Sequence, residues 1–186
     1  MPVAKLGASI RRAADLWRRF KLRRDPVAYA RTLGVRIGDD CRLIGFERAV
    51  FGTEPYLIKL GNHVTVAAGV RFVTHDGAVW VFRDKHPGLD VMAPIVVGNN
   101  VFIGINAVIL PGVTIGDNCI IGAASIVTRD VPAGHVAAGA PARPVKTLDE
   151  YWSSIEERTV PTKGMAPDAK RRFLEEKFWG AHSNAK

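Results

Sequence analysis

The chain has 186 residues, 47% of them hydrophobic, which is room for one packed domain with short appendages and too much apolar content for a disordered chain. Its formal net charge of +8 calls for anionic partners, and since no nucleic-acid motif accompanies the charge, an anionic small molecule or an anionic lipid surface is the expected match. Two cysteines make no secreted disulfide framework, no apolar run reaches the roughly eighteen residues of a membrane span, and the N-terminus lacks a secretory signal, so a cytoplasmic protein is expected.

Residues 4–22 are expected to form an amphipathic helix. Leu6, Ile10, Ala13, Trp17 and Phe20 recur at helical spacing, and Arg11, Arg12, Arg18, Arg19 and Lys21 crowd the other face. Such a helix can pack on its own or a neighbouring subunit, or rest peripherally on a membrane surface. Asp25 and Pro26 read as the N-cap and first position of a second short helix, ended by Gly34. These helices make up an N-terminal segment, residues 1–34.

From Ile37 a six-residue rhythm begins, starting with Ile37-Gly38-Asp39-Asp40-Cys41-Arg42. Residues 43–57 read as degenerate units, and the rhythm returns with Leu60-Gly61-Asn62-His63-Val64-Thr65, Val66 to Arg71 and Phe72 to Gly77. Residues 78–93 then lack it and read as a projecting loop, which in repeat proteins often lies on the binding face. The longest unbroken stretch runs from Val97 to Pro132. Val97, Ile103, Ile109, Ile115, Ile121 and Val127 stand at the first position of each unit, and Val101, Ala107, Val113, Cys119, Ser125 and Val131 four places on. A period of six fits neither helix nor simple strand alternation. It fits a short strand plus a tight turn, stacked into a prism with an aliphatic core. The glycine after the first position marks a bend needing positive φ or close backbone approach. Evenly spaced strands of a sandwich are disfavoured, because six units pass without a slip in phase. Cys119 falls on an inward position and is expected to be a buried reduced thiol. Beyond Pro132 come a basic turn at Arg143-Pro144-Val145-Lys146 and helices over 148–158 and 167–179, with Thr147, Pro167 or Asp168 as starts and Gly180 as a stop.

On these residues the chain resembles the hexapeptide-repeat acyltransferases. Pro94 to Gly104 and Ala137-Ala138-Gly139-Ala140-Pro141-Ala142-Arg143 are similar to the galactoside and maltose O-acetyltransferases and the capsular polysaccharide O-acetyltransferases. The resemblance covers roughly residues 35–147. It implies an all-β core, a left-handed parallel β-helix; the helical ends, with a C-terminal extension over 148–186, are read from the residues themselves. It also implies acetyl-CoA as cosubstrate, no metal, and a homotrimer with sites between subunits.

An alcohol is a poor nucleophile near neutral pH, so acetyl transfer to it needs a base that takes the proton as attack develops, and a donor for the oxyanion. His75, at the end of a repeat and just before the loop, matches the catalytic histidine of the resembling enzymes; His86 is its rival, and His63 and His135 are expected to be structural. Asp76 is adjacent in sequence but faces the other way on a strand; Glu54 or Asp90 could reach the ring in space, and the sequence leaves the orienting group open. The asparagine that galactoside-type enzymes often carry in this region is absent between residues 43 and 57. Glu54, Asp76, Trp80 and His86 are the candidates for holding the saccharide acceptor, Trp80 and Phe82 equally being able to pin the loop on a neighbouring subunit. The resemblance assigns the cofactor groove to Gly104, Asn106, Ala123, Ala124, Ser125, Thr128 and Arg129, with Arg143 and Lys146 for the phosphates. The expected activity is O-acetylation of a sugar in a surface polysaccharide or glycolipid precursor, with N-acetylation of an amino sugar as the near alternative. A zinc-dependent carbonic anhydrase needs three converging ligands, and His63, His75 and His86 lie on different units with no close pair. A non-enzymatic or membrane-docking prism leaves His75, the loop and the basic segment without a role.

Overall fold

The structure, a computed structural model, describes residues 24–180. The expected helix over residues 4–22 and the last six residues lie outside the described part. Two compact units divide the chain, one through Tyr151 and one from Trp152.

The first unit is a parallel β-helix. Its strands are two to six residues long and fall on three faces. The first face stacks β1 (Arg36–Ile37), β3 (Ile58–Leu60), β6 (Ile95–Val97) and β9 (Thr114–Ile115). The second stacks β2 (Arg42–Leu43), β4 (Val64–Val66), β7 (Val101–Ile103) and β10 (Cys119–Ile121), followed by β12 (His135–Gly139) and β13 (Ala142–Thr147). The third holds only β5 (Arg71–Phe72), β8 (Val108–Ile109) and β11 (Ile126–Val127). Register makes the coil explicit: Val101 pairs with Cys119, Val96 with Thr114 and Val108 with Ile126, each eighteen residues apart, or three units of six.

All six first-position aliphatics from Val97 to Val127 are buried, and so are their counterparts four places on, Ser125 and Cys119 included. Each unit thus sends two side chains inward, and the stack of Ile103, Ile109, Ile115 and Ile121 forms a continuous core. Burial raises the Cys119 thiol pKa, so this group stays protonated at neutral pH.

One corner is built the same way in every coil. A Cβ on Gly98 would lie 2.8 Å from the Asp117 nitrogen and 2.9 Å from the Gly116 carbonyl carbon. The glycine is there for close approach between coils, and the left-handed conformation falls two residues later, at Asp40, His63, Asn100 and Asn118. Side chains sew the corner together along the axis. The Asp39 N–H donates to Asn62 Oδ1 at 2.8 Å, Asn62 N–H to Asn99 Oδ1 at 2.9 Å, and Asn99 N–H to Asp117 Oδ1 at 2.6 Å. His63 Nδ1 contacts Asn100 Oδ1 at 2.8 Å, which gives it a structural place.

Two excursions interrupt the coils. Between the first and second coil the register step is 23 residues (Arg36 to Lys59), and between the second and third it is 37 (Lys59 to Val96). Of residues 43–57, Leu43 belongs to β2, and the remainder are therefore not degenerate repeats. They leave the coil after β2 and form two short 3-10 turns, Arg48–Phe51 and Pro55–Leu57, where the third face would have had a fourth strand. Phe51 stacks on Phe72 of β5 at 5.4 Å, so an aromatic ring takes over the packing that a strand would have given. The longer excursion follows β5 and contains the 3-10 turn Gly77–Phe82.

The ends are closed differently. Helix α1 (Pro26–Thr32) is capped by Asp25, whose carboxylate accepts the Ala28 N–H at 2.9 Å, and it packs on β1 and β2. At the other end the expected basic turn at residues 143–146 is instead part of β13, antiparallel to β12. Pro144 is tolerated in this strand because β13 is the edge of its sheet. Helix α2 (Leu148–Ile155) opens on a reciprocal cap. Thr147 N–H donates to Glu150 Oε2 at 2.7 Å, and Glu150 N–H to Thr147 Oγ1 at 3.2 Å. In the second unit a 3-10 turn, Glu156–Arg158, precedes helix α3 (Pro167–Trp179), with Gly180 at its C-cap. Among the described residues no helix is long and apolar enough to cross a membrane.

Candidate active site

The two excursions meet at His75. After β5, Val73 N–H still donates to Ile109 O at 2.9 Å, keeping the chain on the coil. Thr74 turns inward and is buried, and His75 forms an antiparallel bridge with Met92. Asp76 N–H donates to Val91 O at 2.9 Å and Ala93 N–H to Thr74 O at 3.0 Å, so the base of the long excursion is pinched shut beside the histidine. The shorter excursion supplies the partner: Glu54, at the start of the Pro55–Leu57 turn, brings Oε2 to 2.9 Å from His75 Nδ1.

Glu54 is mostly enclosed, with 12% of its side chain accessible, whereas 42% of the His75 side chain is accessible. The Thr74 hydroxyl donates to the same Glu54 oxygen at 2.9 Å, and Thr53 Oγ1 lies 3.4 Å from His75 Nδ1. The Thr53 hydroxyl bond does most to hold the Glu54 carboxyl below its ordinary pKa, with bonds from His75 and Thr74 helping and burial opposing. An ionised carboxylate has only lone pairs to offer, so Nδ1 must carry the hydrogen of this contact, and Nε2 is left with a free lone pair. A half-open imidazole with one nitrogen anchored and the other able to accept a proton is the geometry of a general base. Beside it, Leu33, Ala49, Gly52, Thr53 and Pro55 line a recess of about 550 Å³.

Of the three candidate carboxylates, Glu54, Asp76 and Asp90, Glu54 is the one that engages His75. Asp76 Oδ1 accepts the Ala78 N–H at 2.9 Å and starts the 3-10 turn, while Asp90 is bound by Arg83 at 2.7 Å. His86 is exposed within the excursion, Trp80 is 75% exposed there, and Val81, Phe82 and Leu89 are exposed as well. The residues assigned to a cofactor groove separate into two sets. Gly104 is buried, and a Cβ there would lie 2.6 Å from the Ala123 nitrogen; Ser125 is fully buried, its Oγ accepting the Gly139 N–H at 3.2 Å. Both therefore serve coil packing and do not line an outer groove. Asn106 turns a corner at φ 59°, its N–H donating to Ala68 O at 3.0 Å. Ala123, Ala124, Thr128, Arg129 and Arg143 are exposed, and Lys146 is half-buried. Thr53 and Thr74 escaped sequence reasoning. Thr74 is the third residue of its unit, a position at which the repeat prescribes no residue type, so the sequence carried no signal for it. Among the described residues no three His, Cys, Asp or Glu side chains converge as for a metal ion.

Comparison with known proteins gives the following. Residues 94–129 match the bacterial transferase hexapeptide family (six repeats). Over 148 residues the chain is 51% identical to Protein CapG of Staphylococcus aureus, covering 80% of this chain and 86% of that one. It is 42% identical over 97 residues to galactoside O-acetyltransferase of Escherichia coli (strain K12), covering 52% of this chain and 47% of that protein, so it spans about half of that relative's length. A crystal structure of a hexapeptide-repeat-containing acetyltransferase from Vibrio cholerae superposes with a TM-score of 0.51 at 25% identity, covering 65% of this chain and 78% of that chain.

Proposed function

This chain belongs to the hexapeptide-repeat acetyltransferases, and from that premise we propose that it transfers an acetyl group from acetyl-CoA to a saccharide hydroxyl, in a surface polysaccharide or a glycolipid precursor. The observation that carries the proposal is the contact of Glu54 Oε2 with His75 Nδ1 at 2.9 Å. His75 Nε2 takes the proton of the acceptor hydroxyl as the hydroxyl oxygen bonds to the thioester carbonyl carbon. The carbon–sulfur bond breaks, and His75 hands the proton to the departing thiolate. Glu54 holds the ring and stabilises the imidazolium that forms in between. Acetyl-CoA supplies the activated carbonyl. Exposed Thr128, Arg129 and Arg143, with Lys146, are the side chains that would hold its anionic end. Winding in the left-handed sense and work on the cytoplasmic side, where acetyl-CoA is available, belong to the same reading. The exposed apolar side chains Phe102, Ile105 and Ile126 support a homotrimer whose copies cover one another's faces.

The test is His75→Ala in an assay of thiol release from acetyl-CoA with a panel of saccharides. Turnover is expected to fall at least about 100-fold, with the circular-dichroism spectrum and Tm retained. Near-normal turnover of that variant, with the loss found on His86→Ala instead, would overturn the assignment.

A further inference from the structure

We infer that Thr74 is a positioning residue for this reaction: its hydroxyl fixes the orientation of Glu54 and thereby holds His75 in the tautomer that can accept a proton. The inference rests on the acetyl-transfer reading above and goes beyond it to a residue that touches neither substrate nor the reacting atoms.

Thr74 sits where the two excursions are tied together. It is 1% exposed, so its hydroxyl cannot exchange its partner for water. Its carbonyl takes the Ala93 N–H at 3.0 Å, which closes the base of the longer excursion, and its hydroxyl donates to Glu54 Oε2 at 2.9 Å, which holds the shorter one. One carboxylate oxygen thus receives both the Thr74 hydroxyl and the His75 Nδ1–H. A hydroxyl has one hydrogen, and here it is committed to Glu54. That donor favours the ionised carboxylate, which offers lone pairs alone, and an ionised carboxylate requires Nδ1 to carry the imidazole hydrogen. Were Glu54 to rotate away or become protonated, Nδ1 would be free to accept, the hydrogen would pass to Nε2, and the lone pair needed for the acceptor hydroxyl would be lost. The depressed Glu54 pKa, held down most by the Thr53 hydroxyl and further by the His75 and Thr74 bonds, agrees with this arrangement.

The experiment compares Thr74→Val, which keeps the shape and removes the donor, with Thr74→Ser, which keeps the donor and removes the methyl. In Thr74→Val, kcat is expected to fall roughly 10-fold with the KM for acetyl-CoA unchanged, and Thr74→Ser is expected to recover most of the loss. In ¹⁵N-histidine-labelled protein the His75 signals of Thr74→Val are expected to shift toward the Nε2–H tautomer, while those of Thr74→Ser stay with the wild type. A wild-type kcat and an unmoved tautomer signal in Thr74→Val would overturn the inference. So would equal losses in both variants with the tautomer unmoved, because that pattern belongs to packing by the methyl group. The outcomes separate from those of the underlying reading: an active His75→Ala sinks the acetyl-transfer mechanism, whereas an inactive His75→Ala beside a silent Thr74→Val sinks only the role of Thr74.

Discussion

Glu54 reaches His75 from twenty-one positions upstream, and the pair forms only because two breaks in the repeat face each other. Replacing Glu54 with Gln keeps the shape but removes the charge that stabilises an imidazolium. Turnover is expected to drop by about 10- to 100-fold, read by thiol release. The same substitution has a pH signature. The Glu54 pKa is depressed from its ordinary 4.5, so its contribution to stability is complete above that value and disappears as pH falls through the lower folded value. Thermal melts between about pH 3 and 7 are expected to show the wild type losing Tm more steeply than Glu54→Gln below about pH 4.5, with no such divergence above it. The sequence pointed to His75, with His86 as a rival, and left its orienter open, with Glu54 and Asp90 both able to reach it. It could not choose between the two, because the choice depends on Arg83 holding Asp90 inside the longer excursion. Thr53 and Thr74 were hidden for the same reason: a hydroxyl acquires its role from what the fold brings beside it.

Among the elements, the Gly-Asn corner decides how closely the coils stack. Gly98→Ala forces a methyl against the backbone of Gly116 and Asp117 and against the Asp117 carboxylate, and is expected to cost about 1–3 kcal/mol in urea denaturation. Gly77→Ala is the control: nothing lies within 4 Å of its Cβ position, and a change within about 0.5 kcal/mol is expected. The corner and its buried aliphatics were readable at once, since every unit from Val97 to Val127 repeats one local solution in phase. Residues 43–57 and β13 were not, and the reasons differ. The first segment keeps some apolar residues, yet it spends them on Phe51 and its stacking partner Phe72 rather than on a strand. The second contains a proline that argues for a turn unless the strand is known to lie at an edge, and edge position is a property of the assembled sheet.

For the molecule as a whole, the net charge of +8 and the exposed arginines mean that, under the proposed acetyl transfer, binding of coenzyme A is expected to depend on ionic strength. Coenzyme A affinity, measured by calorimetry, is expected to fall as salt rises from about 0.05 to 0.5 M. Arg143→Ala is expected to weaken it several-fold at low salt and to flatten that dependence. Unchanged affinity at low salt would remove Arg143 from the site. The fold moved Arg143 from the expected turn into strand β13.

A stack of parallel coils is, in principle, an unfinished fibre, since its terminal strands expose a row of unpaired backbone groups on which another copy can grow. Both ends of this stack are stopped. Helix α1 lies over β1 and β2 at one end, and at the other the antiparallel β13 reverses the strand direction and carries Pro144, which has no N–H to offer. Polymerisation along the axis is therefore blocked by the first and last elements of the prism. The surface that stays open to a second copy is the flanks, where the side chains of the outer faces and both excursions are displayed.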